Sequence, residues 1–129
     1  MARHWVGHAL GLTHNFSAST LYTRAQLDDP EFTRTHGIAG SVMEYNAINI
    51  ALKGERQGAY SMSTLGPYDY WAIEYGYRVL PAAEETAQLA RIAARSNETL
   101  LAYAYDDESA LGYDPDAHIS ALSTDPTSL

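Results

Sequence analysis

Three observations predict a mainly helical fold. Tyr68, Trp71, Ala72 and Tyr75 recur at i, i+3, i+4 and i+7, so they share one face of a helix. A stretch from about residue 81 to 95 begins with Glu84 and Glu85 and finishes with Arg91 and Arg95, the charge order a helix dipole favours. Near the start, His4 and His8 stand one helical turn apart in a short run that Gly11 is suited to end, having no Cβ to oppose a left-handed turn.

Taken in order, residues 2–10 form the first helix, with Trp5, Val6, Ala9 and Leu10 beside the histidines. Residues 15–20 read as a polar loop. The pattern over 21–36 is irregular, with a turn at Asp29-Pro30 and a short proline-opened helix after it. Residues 46–60 mix Gly and Asn with Ile48, Ile50 and Leu52, and read as loop with one short strand. Pro67 opens the next helix, Asp69 sits in its first turn, and Gly76 closes it. In the helix of 81–95, Ala82, Leu89, Ile92 and Ala93 form the core stripe. Asn97 starts another short helix through Tyr103. Asp106, Asp107, Glu108, Asp114 and Asp116 do not have EF-hand spacing and read as a solvated acidic loop.

The chain of 129 residues is read as one domain, 1–129, with a frayed tail over about 118–129. A net charge of −8 argues against nucleic acid and against an anionic membrane surface as partners. No apolar run is long enough to span a bilayer, and no signal-peptide pattern is present. With no cysteine there is neither a disulfide framework nor a thiol nucleophile.

The stretch with most chemical content is His4-Trp5-Val6-Gly7-His8-Ala9-Leu10-Gly11-Leu12-Thr13-His14. The i, i+4 histidines point at one ion, and the turn at Gly11 brings His14 back as a third nitrogen ligand. Three protein ligands and one open position are the arrangement of a catalytic rather than a structural zinc. In zinc hydrolases of the H-E-x-x-H type, a glutamate directly after the first histidine takes the proton of the attacking water. Here that position is Trp5, whose indole has one N–H donor and no acceptor.

His4, His8, Gly11 and His14 fill four of the five fixed positions of H-E-x-x-H-x-x-G-x-x-H, the signature of the metzincin zinc peptidases, which this chain resembles. Ser41-Val42-Met43-Glu44-Tyr45 looks like their Met-turn, with Met43 as the methionine beneath the metal. By that resemblance Tyr45 lies near the zinc as a transition-state stabiliser. His14-Asn15-Phe16 and the run from Gly66 to Tyr77 are similar to a narrower bacterial group, whose zinc-binding domain is related to the protease subunit of an AB5-type toxin. The resemblance implies the C-terminal subdomain of a metzincin catalytic domain: zinc helix, Met-turn and following helices. It also implies export to the periplasm or outside.

The expected function is a zinc-binding metzincin peptidase domain holding Zn2+ through His4, His8 and His14, with peptidase activity impaired by Trp5. One alternative is an active endopeptidase using another carboxylate, for which Glu44 is the candidate by motif. Another is a non-enzymatic module that binds peptides or a partner chain. The last is a remnant whose histidines only pack. A peptide or protein is the substrate class implied. Trp5, Val6, Leu10 and Leu12 are expected to be left uncovered, which calls for self-association or a covering N-terminal subdomain.

Overall fold

The first helix, α1 (Ala2–Ala9), is built from the run that carries His4 and His8. The structure is a computed structural model that describes residues 2–106. At the end of α1, Gly11 adopts φ 89°. The Gly11 amide donates to the His8 carbonyl and the Leu12 amide to the Gly7 carbonyl, each at 3.0 Å. This paired bonding satisfies the last carbonyls of the helix and reverses the chain, as the glycine predicts.

Residues 15–20 differ from the polar loop expected. Asn15, Phe16, Ser17 and Ala18 are buried, and Ala18–Thr20 forms a single 3-10 turn. The side chain of Asn15 makes burial tolerable. It donates to the Ala102 carbonyl at 3.0 Å and accepts from the amides of Ser17 and Ala104, each at 3.2 Å. A polar side chain that satisfies three backbone groups can sit inside.

Helix α2 (Arg24–Leu27) was not expected, because four residues are too few to show periodicity. Thr23 and Gln26 cap it reciprocally. Helix α3 (Pro30–His36) starts where proline predicts, with the Asp29 carboxylate accepting from the Glu31 amide at 2.9 Å. No strand forms over 46–60, nor anywhere among the described residues. The segment is pinned instead by Asn49, whose amide side chain donates to the Leu27 and Ala59 carbonyls at 2.8 and 3.0 Å.

Helix α4 (Pro67–Tyr77) runs one residue past Gly76, and α5 (Glu85–Ala94) is shorter than the stretch 81–95. Two 3-10 turns follow, Arg95–Asn97 and Thr99–Leu101. Helix α4 packs on α5 and on the turn at Thr99–Leu101. The Trp71 indole ties the two helices by donating to the Ile92 carbonyl at 2.7 Å. Of the expected α5 stripe, Ile92 is buried, Leu89 and Ala93 are half-buried, and Ala82 is exposed. The tail at 118–129 and the acidic residues Asp107, Glu108, Asp114 and Asp116 lie outside the described residues.

The described residues bury few large apolar side chains. Phe16, Ile38, Val42, Met43, Ile92 and Leu101 are inside, whereas Trp5, Val6, Ile48, Ile50 and Leu52 are exposed.

Candidate metal centre

Residues 41–43 lie directly under α1. Met43 is fully buried. Its thioether packs where α1 has no side chain: a Cβ built on Gly7 would lie 2.2 Å from Met43 Sδ. Glycine is therefore needed here for close approach, at a helix-interior position where it ordinarily costs about 0.5–1 kcal/mol relative to alanine. Gly7→Ala gains that propensity but overpacks a filled site, which typically costs about 1–3 kcal/mol. Met43 is fully buried and its thioether must shift to admit the methyl, so we expect net destabilisation, read as a lower denaturant midpoint with an unchanged slope. A midpoint above wild type would show that the thioether repacks freely.

Asp69, in the first turn of α4, holds this turn in place. It is 2% exposed, and one carboxylate oxygen accepts from the Ser41 hydroxyl at 2.6 Å. The other accepts from the Val42 and Gly66 amides at 2.9 and 2.8 Å. Burial pushes the Asp69 carboxyl above its ordinary value, against the pull of Ser41, Gly66 and Val42, which stabilise the anion. The Ser41 hydroxyl in turn accepts from the Met43 amide at 3.0 Å. One carboxylate thus joins α4 to the turn, and the turn meets α1.

His4, His8 and His14 converge, with one ring nitrogen of each within 4.8 Å of the others. Each Nδ1 has its own partner. His4 donates to the Val42 carbonyl at 2.7 Å and His8 to the Leu12 carbonyl at 2.9 Å. His14 donates to the Asp106 carboxylate at 2.8 Å. A carbonyl oxygen only accepts, so the Nδ1 atoms of His4 and His8 must carry hydrogen, and the neutral ring then keeps a lone pair on Nε2. Burial also holds His4 below its ordinary value, with His8 and His14 adding to the effect and the Val42 bond opposing it. A neutral imidazole is the form a metal requires.

These residues fit a zinc ion. His4 Nε2 is buried without a hydrogen-bond partner, an acceptor whose desolvation costs about 1–3 kcal/mol if nothing meets it. His8 Nε2 and His14 Nε2 lie 3.2 Å apart, within hydrogen-bond distance of each other. Two nitrogens bound tetrahedrally to one zinc at about 2.0–2.1 Å would be separated by about 3.3 Å.

Tyr45 stands over the triad, its ring centroid 4.8 Å from that of His4 and 4.7 Å from that of His14. Trp5 projects outward, 67% exposed, with its ring 6.4 Å from His4 and 6.3 Å from His8. Glu44 is buried, and its carboxylate accepts from the Tyr45 amide at 2.9 Å and the Ser19 amide at 3.4 Å.

Two carboxylates that matter to this geometry were not assigned to it from sequence. The first-turn position of Asp69 agrees with its bond to Gly66, but no local pattern signals its bonds to Ser41 and Val42. Asp106 was read as part of a solvated acidic loop, and the structure corrects this: it pairs with His14, 92 positions away. A cavity of about 770 Å³ opens beside His4, bordered by Arg3, Val42, Tyr45, Ile48 and Met62.

No curated protein and no solved structure matches the chain. The family model described as Met-zincin matches residues 1–129, and with a three-histidine site placed to bind a metal, this chain belongs to the Met-zincin family, which implies zinc.

Proposed function

We propose that the chain is a zinc-binding metzincin domain in which peptide hydrolysis is blocked at the proton-transfer step. The observation that carries this reading is the contrast at α1. All three imidazoles offer Nε2 toward one point, while the position for the base holds an indole with no acceptor. Bound by His4, His8 and His14, zinc supplies Lewis acidity toward water and a peptide carbonyl. The Val42 and Leu12 carbonyls hold His4 and His8 with hydrogen on Nδ1, which leaves the Nε2 lone pairs to a metal. Tyr45, whose ring packs against His4 and His14, would supply a phenol to donate to charge developing on a substrate carbonyl. Both Glu44 oxygens accept backbone N–H groups, which supports a structural role for Glu44 over that of a replacement base.

The cavity beside His4 favours a second reading, a module that binds peptide without cutting it. At about 770 Å³ it falls within the size of ordinary ligand pockets, roughly 300–1,000 Å³, and it joins apolar walls to a few polar groups. The exposed face of Trp5, Val6 and Leu10 supports self-association or a covering chain.

Elemental analysis after zinc loading, paired with a casein-cleavage assay with and without chelator, tests both halves. One zinc per chain and cleavage no faster than the chelated control are expected. Less than a tenth of an equivalent of zinc would overturn the metal reading, and chelator-sensitive cleavage by the unaltered chain would overturn the block. In the second reading, a peptide mixture is retained by the zinc-loaded protein and recovered uncut.

A further inference from the structure

Among the three bonds that hold the imidazoles, one differs in kind. His4 and His8 donate to backbone carbonyls at sequence separations of 38 and 4, whereas His14 donates to a carboxylate at a separation of 92. The His14 side chain is 19% exposed and that of Asp106 46%, so the pair lies at the edge of the site, where an ordinary ion pair is worth little. Its geometry is nonetheless specific. Asp106 belongs to a strap, residues 102–106, that lies along residues 13–17. The Phe16 amide donates to the Ala104 carbonyl at 3.0 Å, and Asn15 bonds both the Ala102 carbonyl and the Ala104 amide. Thr13 and Tyr103 join through their hydroxyls at 2.9 Å. These bonds fix the register of the strap, and the register puts Asp106 opposite His14.

We propose that Asp106 is a positioning residue for the metal. It fixes the tautomer and ring plane of His14, so that Nε2 faces the same point as His4 and His8. The bond is of the charge-assisted N–H to carboxylate type, stronger than a neutral one, and partners of this kind typically change metal affinity about 10–100-fold when removed. Since His14 is the ligand outside α1, it has the least local support, and the carboxylate supplies what a helix gives the other two. By linkage, a metal held through His14 also holds the strap against residues 13–17.

The proposal rests on the zinc reading above, and its test separates the two. Zinc affinity is measured by competition with a chromophoric chelator for the wild type, Asp106→Ala, Asp106→Asn and Tyr103→Phe, with circular dichroism of each metal-free protein as a check on folding. If the wild type binds no zinc, the zinc reading fails. If it binds, Asp106→Ala should weaken binding about 10–100-fold, and Asp106→Asn, which keeps an oxygen acceptor, should weaken it less. Tyr103→Phe removes a strap bond without touching His14 and should stay within about threefold of wild type. Hydrogen exchange at the Phe16 and Ala104 amides should slow on zinc loading in the wild type and not in Asp106→Ala. An Asp106→Ala affinity within threefold of wild type would overturn the proposal, as would a loss in Tyr103→Phe equal to that in Asp106→Ala.

Discussion

Trp5→Glu should convert this chain into a weak, chelator-sensitive protease against an unstructured substrate such as casein. The indole is 67% exposed, so its replacement removes little packing, and the variant should fold as the wild type does. A carboxylate one residue after His4 would take the position that the H-E-x-x-H motif gives to the base. General-base assistance contributes typically ~10²–10⁴-fold, enough to be seen above a background near zero. The gain should fall short of a complete active site, because a substrate misplaced by about 1 Å can lose ~10²-fold. Equal rates for the unaltered chain and Trp5→Glu would mean that the base lies elsewhere.

His4→Ala and His8→Ala should each abolish stoichiometric zinc, and His14→Ala should weaken it. The two helical histidines are held by α1 and its immediate contacts, so either loss removes a well-placed ligand. Zinc binding to the folded state alone would stabilise the wild type by about 4 kcal/mol at a thousandfold excess over Kd. Zinc should therefore raise the melting temperature of the wild type and leave that of His4→Ala unchanged. His4→Ala also strands the Val42 carbonyl that His4 now meets, so its metal-free stability should fall too. A full equivalent of zinc in His4→Ala would remove the histidine from the site.

Helices α1, α3, α4 and α5 and the histidine spacing were legible in sequence because they rest on local rules, whereas the four-residue α2 was not. His4, His8 and Gly11 act within two turns of chain, and the Gly11 backbone angle follows from residue type. The prolines that open α3 and α4 are equally local, whereas the apolar face expected of α4 is only half-buried at Tyr68, Trp71 and Ala72 and is exposed at Tyr75. What was not legible depends on packing between distant segments. Asn15 looked like a loop residue because its three backbone partners come from Ser17 and the strap. Asp106 looked like solvated charge because its partner is 92 positions back. The strand expected near Ile48 did not form because Asn49 and Gln57 satisfy that backbone with side-chain amides, leaving no ladder to complete.

The three ring bonds also bear on the order of assembly. Their sequence separations are 4, 38 and 92, so the His8 contact closes within a local turn, the His4 contact needs the Met-turn docked, and the His14 contact needs the strap in register. Loop-closure entropy rises with each of these spans. The bonds that orient all three rings are therefore complete only once the most distant segment is in register, although the ligands themselves lie within one short run of chain.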